Sequence, residues 1–240
     1  MSEHVIVTGA AGGLGTQLVA DLVEAGFTVT GLDRARGALD RLEAATPSVT
    51  GIATDVTSSA EVRRAVDEAV AVNGVPFGLV TLAGDNRLEP LHEITDETWR
   101  YLLDVNLSAT FHLCRAVMPL MRDNGGGRIV TMSSIAGIRG DSNESAYSAA
   151  KAGVVGLTRA LATEYAPHQV TVNALAPVAV LTERVRGYDT AHLQAQLDRI
   201  PMGRFSEPTD VTRTIKFLLG PDAGFFTGQV FSPNGGDHMP

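Results

Sequence analysis

The sequence predicts an α/β fold: one doubly wound parallel sheet of about seven strands, with helices on both faces. Three observations carry this. Short β-rich runs and helical periods alternate from the first residues onward, the signature of βαβ units. The strand runs are apolar at successive positions, as in 5–7, which suits strands buried on both sides. The first strand also passes straight into a glycine-rich turn before the first helix. The 240 residues suit a single domain over 1–240, since α/β units often run to about 200–250 residues and no stretch reads as a linker.

In order, residues 4–8 form a first strand, and a helical period follows through Leu14, Leu18, Val19 and Leu22. Residues 27–32 form a second strand ending at Asp33, with a helix over 38–45. Residues 49–54 make a third strand and 60–72 a helix. A fourth strand at 78–82 leads to one long helical pattern over 98–121. The fifth strand is 128–132, the next helix 146–165 and the sixth strand 170–175. A helix at 209–219 and a strand near 229–231 close the chain. The least regular stretch is 178–205, and long irregular insertions in compact domains are often lids or binding loops.

Composition narrows the classes. Hydrophobic residues at 44% supply a large core and exclude a disordered chain. A net charge of −8 with no basic run argues against nucleic-acid binding, which needs clustered Lys and Arg. The single cysteine, Cys114, excludes an intrachain disulfide and a cysteine-based metal site. The six histidines, His4, His92, His112, His168, His192 and His238, show no ligand spacing, so no metal is expected. No apolar run is long enough to span a membrane, and residues 1–4 lack the basic start and apolar core of a signal peptide. A cytoplasmic location is the expectation.

Residues 8–15, Thr-Gly-Ala-Ala-Gly-Gly-Leu-Gly, lie between strand and helix. Gly9, Gly12, Gly13, Leu14 and Gly15 would let backbone N–H groups and a helix N-terminus approach a pyrophosphate. The plain alternative is a Gly-rich turn. Asp33, ending the second strand, can accept hydrogen bonds from an adenosine ribose and would repel an extra phosphate there. Arg34 beside it could hold such a phosphate, or the two form a solvated pair. Asp55 and Val56 follow the third strand at the sheet edge, where an adenine would lie; an N-cap for the next helix is the competing reading of Asp55.

Tyr147 and Lys151 are four apart in a helical pattern and share one face. A nearby ammonium favours the phenolate and lowers a tyrosine pKa, so the pair can exchange a proton with a substrate oxygen. By itself this spacing is common in helices. Ser133 and Ser134 at the end of the fifth strand add weight, because ligands bind at the carboxyl ends of parallel strands.

Together these residues resemble the short-chain dehydrogenases/reductases of standard length, over nearly the whole chain. Thr8, Gly9, Gly13 and Gly15 match the family's Thr-Gly-x-x-x-Gly-x-Gly; Tyr147 and Lys151 match its Tyr-x-x-x-Lys. Ser134 stands where the catalytic serine usually does, and Asn106 matches the fourth member of the tetrad. Residues 172–177 look like the segment beside the nicotinamide, and Thr182 falls where a carboxamide-binding threonine is usual. Residues 200–205 and 234–236 are also family-like. The resemblance implies a Rossmann fold and hydride exchange between a nicotinamide and a secondary alcohol or ketone. Tyr147 would move the hydroxyl proton and Ser134 would hold the substrate oxygen. Lys151 would hold the ribose and lower the tyrosine pKa, with Asn106 supporting a water relay. The implied cofactor contacts are the glycine loop, Asp33, Arg34, Asp55, Val56, Ala83, Gly84, Tyr147, Lys151, Pro177 and Thr182.

The chain departs from the family pattern at two places. Leu82 replaces the second asparagine of Asn-Asn-Ala-Gly and cannot supply its side-chain bonds, which predicts a weaker sheet there. Val178 replaces a common glycine, which predicts another loop path. Position 12 is glycine, not the basic residue of many NADP enzymes, so with Asp33 the expectation is NAD(H), NADP(H) remaining possible. The substrate pocket is expected between 84–91, 135–144 and 178–199, where Arg139, Arg184 and Arg186 either meet an anionic group or are solvated.

The chain looks most similar to 3-oxoacyl-carrier-protein reductases. Residues 125–127 and 167–169 lack the basic residues that dock a carrier protein, however, so an alcohol, hydroxyacyl thioester or steroid substrate fits as well. A non-catalytic nucleotide sensor or a dehalogenase-type lyase on the same fold are the readings from other classes. The resemblance further implies a homotetramer through 98–121, 146–165 and the last strand.

Overall fold

The computed structural model describes residues 2–239, without the side chains of Arg184 and His192. Seven strands form one parallel sheet in the order β3-β2-β1-β4-β5-β6-β7. They are β1 His4–Thr8, β2 Thr28–Asp33, β3 Val49–Ala53, β4 Gly78–Thr81, β5 Gly127–Met132, β6 Val170–Leu175 and β7 Val230–Phe231. Every residue of β1 is buried: Val5 and Val7 face one core, Ile6 the other. Successive side chains of a strand point to opposite faces, so a continuous apolar run is what a doubly covered strand needs.

On one face lie α1 Gly13–Glu24, α2 Arg36–Ala45 and α10 Pro208–Leu219, contributing Leu18, Leu22, Leu42, Val211 and Ile215 to the first core. On the other lie α3 Ser59–Asn73, α5 Ala109–Asp123 and α7 Ser145–Tyr165, with Val62, Leu113, Met118 and Ala162 in the second. The strand order reverses between β1 and β4, so a crevice opens above their carboxyl ends, the usual ligand position in such sheets.

The long pattern at 98–121 folds as α4 Asp96–Leu103, a π turn Asp104–Ser108 and then α5. The π turn has a local cause. The Asn106 side-chain amide donates to the Leu102 carbonyl at 2.9 Å, the acceptor that an α-helix would offer to the Asn106 N–H. Thr95 caps the start of α4 by accepting from the Thr98 N–H. In place of an irregular 178–205 stretch there are two short helices, α8 Glu183–Arg186 and α9 Thr190–Leu197; a third, α6 Ala136–Arg139, also carried no sequence signal. All three span only one or two turns, too few for an apolar period to show. No helix among the described residues is long and apolar enough to cross a membrane.

Candidate active site

Two adjoining hollows open at the carboxyl ends of the strands. The larger runs over the glycine loop, past Asp33 and Arg34, to Asp55 and Val56 at the far edge. The smaller, about 240 Å³, holds Ser134, Tyr147, Lys151, Asn106 and Pro177. Leu14, Gly84 and Thr182 line both.

The glycine loop is tight for stated reasons. Gly9 has φ +64°, and a Cβ there would stand 3.0 Å from the Ala83 nitrogen. A Cβ at Gly15 would lie 2.0 Å from the Gly9 oxygen, and one at Gly13 would meet the Thr182 side chain at 3.1 Å. Gly12 stands at the N-cap of α1 without a side-chain cap, and the first turn holds no acidic residue. Uncapped N–H groups, the positive helix end and a surface clear of Cβ atoms together fit a pyrophosphate. The residues present therefore fit a dinucleotide.

Asp33 also ties this loop to β2: its carboxylate accepts from Ala11 N–H at 3.1 Å and Ala35 N–H at 3.2 Å. Asp55 does not cap α3; Ser58 does, accepting from Glu61 N–H. Asp55 instead accepts from the Thr57 hydroxyl and N–H. The Thr57 hydroxyl holds its carboxyl below the usual carboxylate range, and the Arg34 charge adds to this.

Leu82 packs against the apolar core beside α1, and Thr8 Oγ1 accepts from Ala83 N–H at 3.2 Å, joining the ends of β1 and β4. Val178 turns inward onto Ile135 and Ile200, a small apolar cluster that a glycine would not make.

Asn106 is buried. Its amide donates to the Asp85 and Leu102 carbonyls, and its Oδ1 accepts from Asp85 N–H at 3.3 Å. A Cβ at Gly84 would lie 2.7 Å from that oxygen and 3.5 Å from Lys151 Nζ. Lys151 is buried too, donating to the Met132 carbonyl at 2.8 Å. Burial pushes its pKa down to about 8. Its Nζ stands 5.6 Å from the centre of the Tyr147 ring. Ser134, half-buried at the end of β5, accepts from Ala136 N–H at 3.2 Å. The four residues that the tetrad comparison singled out thus surround one hollow.

A family model for short chain dehydrogenases matches residues 3–192. The chain belongs to the short-chain dehydrogenase family. This dehydrogenase is 37% identical to an acetoacetyl-CoA reductase of Rhizobium meliloti over the whole of both chains. It is 32% identical to a 3-oxoacyl-[acyl-carrier-protein] reductase of Staphylococcus epidermidis, again over the whole of both. A solved short-chain type dehydrogenase/reductase from Mycobacterium ulcerans superposes with a TM-score of 0.92 at 31% identity, covering 99% of this chain and 91% of that one. This dehydrogenase is therefore a nicotinamide-dependent oxidoreductase that interconverts an alcohol and a carbonyl on a small molecule.

Two further residues support the site, and sequence reasoning missed one of them. The Ser133 hydroxyl donates to the Lys151 carbonyl at 2.9 Å, and a Cβ at Gly137 would sit 2.6 Å from the Lys151 carbonyl carbon. Both hold the segment after β5 close against α7 at the lysine. The doublet Ser133-Ser134 was a signal for one of them; nothing local marks Gly137.

The arginines resolve differently. Arg139 is neither a free anion receptor nor solvated, since it is ion-paired with Asp141 at 3.0 Å and Asp237 at 3.2 Å. Arg186 is exposed and lines the larger hollow. The Arg184 side chain lies outside the described residues.

Proposed function

We propose that this dehydrogenase uses Tyr147 as the general acid–base group of an NAD(H)-linked alcohol/ketone interconversion. One observation supports this most: a buried, hydrogen-bonded Lys151 ammonium beside the Tyr147 ring, across the same hollow from Ser134. The lysine charge favours the phenolate, which takes the hydroxyl proton in oxidation; the phenol returns it in reduction. Ser134 hydrogen-bonds the substrate oxygen and orients it. Asn106 supports a water relay from Lys151, and Lys151 holds the nicotinamide ribose. When bound, the nicotinamide supplies the redox chemistry, exchanging a hydride with the carbinol or carbonyl carbon.

In this reading the glycine loop, with Leu14, holds the pyrophosphate, and Ala83 and Gly84 leave room for the adenosine. Asp55 and Val56 border the adenine, and Pro177 and Thr182 border the nicotinamide. Asp33 disfavours a 2′-phosphate, and its engagement with the glycine loop supports a fixed carboxylate there. Arg34 at the same cleft supports the second reading, an NADPH-linked 3-oxoacyl-carrier-protein reductase like the Staphylococcus relative. The single unit spans 1–240, with 178–205 as its substrate loop, and acts in the cytoplasm. Half-exposed Phe111 on α5, with Phe225 and Phe226 before β7, supports a homotetramer through those faces; light scattering reports it directly.

Calorimetric titration with NAD+, NADH, NADP+ and NADPH tests the cofactor reading. Tighter NAD(H) binding, with NADH-linked ketone reduction, is expected. A higher catalytic efficiency with NADPH would move the reading to the carrier-protein reductase.

A further inference from the structure

The outer wall of the substrate hollow is charged, and its charges come from three segments far apart in the chain. Arg139 and Asp141 follow β5, Arg199 follows α9, and Asp237 lies in the C-terminal tail. Each guanidinium bridges both aspartates: Arg139 at 3.0 and 3.2 Å, Arg199 at 3.2 and 3.5 Å. The Asp237 side chain is only 2% exposed. A fifth charged residue, Glu144, is buried one turn ahead of Tyr147 and lines the same hollow. Burial pushes its carboxyl above the usual carboxylate range, opposed by a hydrogen bond with Asn86. Arg139 Nε is buried with no acceptor among the described residues.

This wall holds three carboxyl groups and two guanidiniums, and both guanidiniums are already neutralised. A substrate carboxylate or phosphate would have to displace a buried aspartate, which is costly. An acyl chain laid against the wall would take these groups out of water without replacing its hydrogen bonds. A hydroxyl both donates and accepts, so it matches a carboxylate oxygen and an N–H alike. The same hollow also carries an apolar cluster, Ile135, Val178 and Ile200, which suits a short carbon skeleton.

We propose that the wall formed by Arg139, Asp141, Glu144, Arg199 and Asp237 is a polar subsite selecting small neutral hydroxylated ketones and their diols over acyl thioesters and oxo acids. This rests on the oxidoreductase reading of the hollow and narrows its substrate class. Glu144 and Arg139 are the specificity-determining residues, reaching the hydroxyl next to the reacting carbonyl.

The test compares four probes built on four-carbon skeletons: 3-hydroxy-2-butanone, 2-butanone, 3-oxobutanoate and its N-acetylcysteamine thioester. Catalytic efficiencies are measured with the preferred cofactor. The hydroxy ketone is expected to exceed each of the others by about tenfold or more, the worth of one substrate hydroxyl hydrogen bond. Glu144→Leu should collapse its advantage over 2-butanone, and Glu144→Gln, which keeps hydrogen-bonding capacity, should retain most of it. Ligand-observed NMR should show 2,3-butanediol binding to wild type more strongly than 2-butanol. Equal efficiencies in wild type, or a thioester or oxo acid preferred, would overturn the subsite while leaving the oxidoreductase intact. No turnover of any ketone would instead overturn the parent reading. The wild-type comparison decides the matter even if a variant fails to fold.

Discussion

The cofactor half and the substrate half of this dehydrogenase are built by different physics. The cofactor half is shaped by missing side chains: Gly9, Gly13, Gly15 and Gly84 each stand where a Cβ would meet a neighbour. Its polar anchors, Asp33 and Thr8, bond to backbone N–H groups a short distance away. The substrate half is shaped by side chains present: a buried carboxyl and a four-membered ion-pair cluster that ties the segment after β5, the end of α9 and the C-terminal tail. Backbone complementarity suits a ligand whose shape does not change, and side-chain charges suit one whose chemistry is selected. Tyr147 and Lys151 sit at the seam.

The sharpest break of this comparison is at the seam. Tyr147→Phe removes the proton carrier and no wall, so turnover should fall by about 10²–10⁴ while nicotinamide affinity stays near wild type. Calorimetry with steady-state rates checks this; retained turnover would remove Tyr147 from the chemistry.

A paired experiment sharpens the contrast between the halves. Gly15→Ala forces a Cβ against the Gly9 carbonyl and should cost about 1–3 kcal/mol, felt mainly as weaker nicotinamide binding. Asp237→Ala takes one of its two carboxylate partners from each of Arg139 and Arg199, leaving Asp141 to both. Because both are partly exposed, the cost is about 1–3 kcal/mol rather than that of a fully buried pair. It should appear as a raised KM for substrate and a lowered Tm, with nicotinamide affinity little changed. If either variant disturbs both ligands equally, the halves are not separate.

Lys151→Met probes the seam from the side of stability. A lysine whose folded pKa is pushed down to about 8 costs stability while it is charged. The unfolded chain holds the proton up to about 10.4, so wild-type stability contributed by this group rises with pH between those values. The methionine variant should lose activity yet gain about 2–5 °C in Tm near neutral pH without cofactor. A lowered Tm would mean that the bond to the Met132 carbonyl outweighs the burial cost.

The smallest effect lies at the opposite end of the sheet. His4 is buried, with Nδ1 2.8 Å from the Gly74 carbonyl and Nε2 2.8 Å from the Thr30 hydroxyl. The Asn73 amide donates to the same hydroxyl, leaving its proton for Nε2 and so favouring the Nδ1–H tautomer. Burial lowers the His4 pKa below 6.5. Its contribution is therefore full above the unfolded value and is lost as pH falls through the folded one. Chemical denaturation between pH 7 and 5 should show a loss of stability that His4→Gln flattens, with both halves of the site unaffected at pH 7.

The strands and long helices were legible because the sheet is covered on both faces, which turns each strand into an unbroken apolar run. The single break in that legibility, the π turn around Asn106, arises because one amide side chain competes for the Leu102 carbonyl. No apolar period reports such a competition. The short helices at 136–139, 183–186 and 190–197 stayed hidden because so few turns carry no measurable period.

The sequence by itself determined the layering of the fold, the glycine loop and the Tyr147–Lys151 spacing. All depend on neighbours within a few residues, where helix and strand geometry converts spacing directly into shared faces. Only the tertiary structure decided that Gly137 must yield space to α7, that Thr8 ties the end of β1 to Ala83 beyond β4, and that Arg139 pairs with Asp237. Those partners are brought together by strand order and chain reversal, and a contact made that way leaves no periodic trace in the sequence.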